Sequence, residues 1–232
     1  MSKRILFQGD SITDGNRYKA PETRWDLNHQ IGHSYVYPIA AALGRRFPGK
    51  YHFINRGVSG DCIDKLAARW QQDTLDENPD VLSILIGING NGRNGSFFPE
   101  GADAHLEHFD ATYRYLLDSA RQHNPQIKFV IMEPFVLPVG NYKEAYAVFM
   151  QVFQRKQAII RQIAEDYEAV FIPIQKRLEA LVEESAKSLA LNECTIDPNA
   201  YWLCDGIHPT EAMHGFISEL WLDATNNLLQ SW

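Results

Sequence analysis

Two stretches far apart in the chain carry the residue types needed for nucleophilic catalysis. Near the start, the apolar run Ile5-Leu6-Phe7-Gln8 is broken by Gly9, and Asp10-Ser11 follows. Ser11 would therefore stand where a buried strand gives way to a turn, a place from which open α/β sheets present functional groups. A serine alcohol is a poor nucleophile until a base takes its proton. Near the other end, Asp205-Gly206-Ile207-His208-Pro209 supplies a histidine with an aspartate three residues before it. Across a glycine-containing turn that carboxylate can reach the imidazole Nδ1–H, fix its tautomer and stabilise an imidazolium. Taken alone, the pattern also fits a capped helix start with an incidental histidine.

The elements between these stretches decide whether they can meet. Apolar strand patterns fall at 4–7, 51–55, 81–86, 128–133 and 169–172. Residues 81–86 are apolar on both faces, as a central parallel strand requires. Helical spacing of apolar residues separates the strands, as in Val36, Ile39, Ala40, Leu43 and Phe47, or Leu106, Phe109, Tyr113, Leu116 and Leu117. A single helix with Ile63, Leu66, Ala67, Trp70 and Thr74 on its inner face, ended by Asn78-Pro79, is expected, and a loop from Asn192 to Pro209. Strand and helix thus alternate five times. That predicts a three-layer α/β/α sandwich with a five-stranded parallel sheet, in one domain covering residues 1–232. The strand ends at Ser11, Gly57, Asn89 and Phe135 then share the carboxyl edge of the sheet, where such folds bind ligands.

Four blocks in that order resemble the SGNH (GDSL) family of serine hydrolases. They are Gly9-Asp10-Ser11-Ile12-Thr13, Asn55-Arg56-Gly57-Val58-Ser59-Gly60, Gly87-Ile88-Asn89 and Asp205-Gly206-Ile207-His208-Pro209. The resemblance implies a flavodoxin-like sheet, with Ser11 as nucleophile, His208 as general base and Asp205 orienting it. It makes the backbone N–H groups of Ser11 and Gly57 and the side-chain amide of Asn89 the oxyanion donors. One departure stands out: the family's third block usually reads Gly-x-Asn-Asp, and Gly90 replaces that aspartate here. Within the family the chain is most similar to intracellular carbohydrate acetylesterases that act on acetylated xylo-oligosaccharides. The similarity runs through 35–41, 54–60, 65–73 with Arg69-Trp70, and Pro134-Phe135. The implied reaction removes acetyl or other short acyl groups through an acyl-serine intermediate. Rival readings are a lysophospholipase or thioesterase, with Val136, Leu137 and Val139 lining an acyl channel, and a non-catalytic carbohydrate-binding module on the same fold.

Loop aromatics Trp25, Phe97, Phe98 and Trp202 are flat faces on which a sugar could stack, and Trp25 and Trp202 are the expected substrate contacts. Neither a cofactor nor a metal is expected. The pairs His29/His33 and His105/His108 lack further ligands at metal spacing, and the Gly87–Gly92 run lacks the lysine of a phosphate-binding loop. The formal charge of −7 over 232 residues argues against nucleic acid or an anionic membrane as partner. Homo-oligomerisation stays open. Cys62, Cys194 and Cys204 show no paired spacing and read as free thiols. With no apolar stretch of about 20 residues and no leader before the first strand, the expected compartment is the cytoplasm.

Overall fold

The computed structural model describes residues 2–19, 30–90, 92–93, 96–97 and 101–230. Strand β1 (Lys3–Gly9) lies at the heart of a parallel sheet and pairs on one side with β2 (Tyr51–Asn55), on the other with β3 (Val81–Leu85). Beyond β3 come β6 (Lys128–Met132) and β7 (Val170–Ile172), giving the order β2-β1-β3-β6-β7. A two-stranded antiparallel ribbon, β4 (Gly92–Arg93) and β5 (Ser96–Phe97), interrupts the loop after β3. From β1 the chain first steps outward to β2 and then crosses to β3. The crevice between the carboxyl ends of β1 and β3 is thus the switch point of the sheet.

Side chains alternate between the faces of each strand, so two cores form. Ile5, Phe7, Val81, Leu85, Val130 and Met132 face α2 (Val36–Arg46) and α8 (Glu211–Gln230). Leu6, Ile54, Leu82, Ile84, Phe129 and Ile131 face α3 (Ile63–Ala68), α4 (Ala102–His123) and the second half of α5 (Tyr146–Asp166). Most of these side chains are fully buried, each worth roughly 1.5–3 kcal/mol of hydrophobic transfer. The one polar residue inside β3, Ser83, accepts a hydrogen bond on its hydroxyl from the Trp221 indole N–H of α8 (3.0 Å), so its burial is compensated. The five-stranded α/β/α sandwich expected from the sequence is the observed fold.

Two local differences bear on the site. The helix expected from Ile63 up to Asn78-Pro79 ends after Ala68 and resumes as a π-helical turn, Gln71–Leu75. The expected loop 192–209, which follows α6 (Gln175–Leu191), contains α7 (Pro198–Trp202). There the Asp197 side chain accepts from Asn199 N–H, and Pro198 occupies the first helical position, where a missing N–H costs nothing.

Candidate active site

After β1, the Asp10 carboxylate accepts the Ile12 N–H (3.0 Å) and caps a one-turn helix, α1 (Ser11–Asp14). Ser11 is its first residue, a position whose N–H has no partner within the helix; among the described residues no acceptor takes it. From the far end of the chain, His208 brings Nε2 to 2.9 Å from Ser11 Oγ. Its Nδ1 lies 2.6 Å from Asp205 Oδ2. Asp205 Oδ1 accepts the backbone N–H groups of Ile207 (3.1 Å) and His208 (2.9 Å), so one carboxylate fixes both the turn and the ring. Burial pushes the Asp205 carboxyl up, but its bonds from His208 and the two backbone amides outweigh burial and hold it below the usual carboxylate range.

The turn that carries this pair is braced from outside. Leu137 N–H donates to Gly206 O (2.9 Å), and Cys204 N–H to His208 O (3.0 Å). A side chain at Gly206 would meet Val139 O and Leu137 O at 2.8 and 2.9 Å. The segment after β6 therefore acts as a splint for Asp205 and His208. Asp205 and His208 are each about half exposed, at 49% and 42% of the side chain, while the contact of His208 with Ser11 is partly buried.

The second and third blocks meet behind Ser11. Asn55 Nδ2 donates to Thr13 O (2.7 Å), and the buried Asp14 Oδ2 accepts the Ser59 N–H and hydroxyl (both 2.9 Å) and the Lys19 ammonium (2.7 Å). Despite burial, those bonds hold the Asp14 carboxyl below the ordinary range. Asn89 Nδ2 donates one proton to Asp61 O (3.0 Å). This fixes the plane of the amide and aims its second N–H elsewhere.

Gly57 does not stand where the sequence put it. Its N–H is donated to Asn55 Oδ1 (2.9 Å), and a Cβ there would meet Asp14 N at 2.4 Å and Thr13 C at 2.8 Å. Glycine is required at 57 because α1 packs against the backbone, and the N–H is already used. Gly60 has the opposite character. Its φ is +78°, the space around its Cα is open, and among the described residues no acceptor takes its N–H. It adjoins Asp61, whose carbonyl holds Asn89. The family resemblance assigns the donor to Gly57, and the sequence alone does not make Gly60 a candidate.

Gly90 is also explained. Its φ is +79°, and a Cβ would come 3.0 Å from that of Cys62, so a side chain there would be both strained and crowded. Support for the Asn89 turn comes instead from Lys156 of α5, fully buried, which donates to Gly87 O (3.3 Å). Burial lowers this ammonium to about 8. The available signal was a lysine inside the apolar stripe Phe149, Phe153, Ile160, Ile163.

Of the remaining candidates, Trp25 and Phe98 lie outside the described residues, as does the side chain of Phe97. The Trp202 indole is half-buried, donates its N–H to Ser185 Oγ of α6 (2.9 Å) and lies beside Phe216, so it is committed to packing between helices. Of the residues expected to line an acyl channel, Val136 and Leu137 are buried in the core and Val139 is half-buried. His105 contacts Lys156, and His108 contacts Asp64, so this pair does not converge on one point; His29 lies outside the described residues. All three cysteines are free thiols. No helix among the described residues is long and apolar enough to cross a membrane.

A serine, a histidine and an aspartate joined in line at a sheet switch point is the geometry of acyl transfer. The sequence agrees over nearly its full length: residues 7–216 match the GDSL-like lipase/acylhydrolase family. The chain belongs to that family. It is a carboxylic ester hydrolase. An acetylxylan esterase from Geobacillus stearothermophilus is 29% identical over 224 residues, which cover 95% of this chain and 92% of the relative. The crystal structure of that organism's acetylxylan esterase Axe2 superposes with a TM-score of 0.71 at 28% identity, covering 96% of this chain and 93% of its own. A putative GDSL-like lipase from Parabacteroides merdae gives a TM-score of 0.79 at 30% identity, covering 97% and 96%. Catalytic mutants of Axe2 have been solved in which a serine, a histidine or an aspartate is replaced by alanine.

Proposed function

We propose that this esterase removes acetyl or other short acyl groups from carbohydrate esters such as acetylated xylo-oligosaccharides, through an acyl-serine intermediate. The observation that carries the reading is the unbroken line from Ser11 Oγ through the His208 ring to Asp205 Oδ2. In the first half-reaction Ser11 Oγ attacks the ester carbonyl carbon while His208 Nε2 takes its proton. The carbonyl oxygen becomes an oxyanion. As the tetrahedral intermediate collapses, His208 returns the proton to the departing sugar oxygen, leaving acetyl on Ser11. Water, deprotonated by the same nitrogen, then attacks the acyl carbon and releases acetate. Asp205 holds Nδ1–H throughout and stabilises the imidazolium in both halves.

The oxyanion donors in this reading are the N–H groups of Ser11 and Gly60 and the second N–H of Asn89, with Gly60 taking the place first assigned to Gly57. The acetyl preference draws on the acetylxylan esterase relative and on the burial of Val136 and Leu137, which leaves Val139 as the one accessible member of the expected acyl channel. A serine-directed fluorophosphonate should label Ser11 and no other residue, as read by peptide mass spectrometry. kcat/KM should be at least tenfold higher with p-nitrophenyl acetate than with the octanoate. Label on a different serine would overturn the nucleophile, and equal rates on the two esters would overturn the acyl preference.

A further inference from the structure

The donors assigned to the oxyanion come from three separate segments, yet one guanidinium touches the frame of all of them. Arg69 stands at the break between α3 and the π-helical turn and is mostly buried. Its Nη2 donates to Gly9 O (3.3 Å), two residues before Ser11. Its Nη1 donates to Arg56 O (2.6 Å), in the segment leading to Gly60, and to Gln8 Oε1 (2.9 Å). Its Nε donates to Asp61 Oδ2 (2.7 Å). Asp61 follows Gly60 directly, and its carbonyl receives the Asn89 amide. On the outer side, Asp73 of the π-helical turn accepts from Nη1 (3.1 Å), while Asp73 O and Thr74 Oγ1 hold Gln8 Nε2 at 2.8 and 2.7 Å. π turns often mark functional sites. Here the turn brings Asp73 and Thr74 onto β1 behind Arg69.

Resting on the serine-esterase reading above, we infer that Arg69 is the positioning residue of the oxyanion hole: it locks the Ser11, Gly60 and Asn89 segments in one geometry and touches no substrate itself. Two carboxylates flank the guanidinium, so it acts through its fixed fork of five N–H donors. A lysine supplies three donors from a single point and cannot span carbonyls at the ends of two strands together with Asp61. A small displacement of preorganised donors is costly, because the oxyanion is charged only in the transition state.

The test is a double-mutant cycle on purified enzyme with p-nitrophenyl acetate, each variant first checked for a native circular dichroism spectrum. Arg69→Lys should lower kcat roughly 10–100-fold with KM changed less than threefold. In an Asn89→Ala background the same substitution should cost markedly less, because the donor it positions is already gone. A role confined to fold stability would lower the melting temperature and leave kcat of the folded fraction intact. If Arg69→Lys does not fold, Asp61→Asn serves in the same cycle: it keeps the carbonyl that holds Asn89 and loses the ionic tie to Arg69. The inference is overturned if the folded variant keeps more than a third of wild-type kcat, if the loss falls on KM alone, or if the losses multiply fully with Asn89→Ala. Failure of the underlying reading looks different: Ser11→Ala would retain activity whatever Arg69 does.

Discussion

The choice between Gly57 and Gly60 as oxyanion donor can be decided by adding one methyl group to each. At Gly57 the new Cβ would sit 2.4 Å from Asp14 N, 2.8 Å from Thr13 C and 2.9 Å from Thr13 Cβ. The first two of these are backbone, so no rotamer change relieves the clash. Overpacking typically costs about 1–3 kcal/mol, and a backbone clash belongs at the upper end. With a shift of about 2–4 °C per kcal/mol in a chain of this size, Gly57→Ala should lower the melting temperature by roughly 6–12 °C. At Gly60 the Cβ meets nothing within 4 Å, but φ of +78° strains any L side chain. That strain costs about 1–2 kcal/mol, hence a fall of only about 2–8 °C. The kinetic effect should be reversed in rank. Losing one oxyanion donor costs roughly 10²–10³ in kcat, so a Gly60→Ala loop that relaxes its φ and turns the N–H away should lose at least about tenfold and up to that limit. KM should barely move, because the donor acts on charge absent from the ground state. The assay pairs thermal melts with kcat and KM on p-nitrophenyl acetate, measured well below both transitions. If Gly60→Ala keeps more than a third of wild-type kcat, the assignment is refuted and the donor must be sought elsewhere in the second block.

Two other outcomes follow from the same geometry. Asp205→Ala removes the partner of His208 Nδ1 and the acceptor of two backbone amides, and kcat should fall by roughly 10⁴ while Ser11 stays in place; a loss below tenfold in steady-state assays would remove Asp205 from the catalytic line. Burial raises the Asp10 carboxyl to about 7 and lowers the His214 imidazole to about 4, so the two have opposite linkage. The Asp10 contribution is intact below about pH 4 and is lost as pH rises toward 7; that of His214 is intact above about 6.5 and is lost as pH falls toward 4. Asp10→Asn keeps an N-cap and removes one of the two, so its urea midpoint should climb more steeply between pH 4 and 6.5 than that of the wild type. Parallel profiles for the two proteins would contradict the burial argument.

The sequence determined the sheet and its approximate strand limits, and it pointed to Ser11, Asp205 and His208, whose side chains the fold brings into contact. Those features are written in local signals: apolar runs of strand length, helical spacing between them, and a glycine turn bringing an aspartate within reach of a histidine three residues on. The backbone obeys such signals wherever the segment ends up, so a reading without coordinates recovers them. The break of the helix that begins at Ile63 into a π turn was not written that way, since its apolar spacing is ordinary. Only tertiary contact decided which glycine of Gly57-Val58-Ser59-Gly60 keeps a spare N–H, because the answer depends on where α1 and Asn55 come to rest. The same is true of Trp202, whose loop-like neighbours are a capped helix and whose indole N–H goes to Ser185. It is true above all of Arg69 and Lys156. Each looks like one more charged residue on a helix, and each acquires its place by reaching carbonyls at the ends of strands brought near by the fold. Hydrogen bonds across such sequence distances leave no periodic trace, and only the folded chain reveals them.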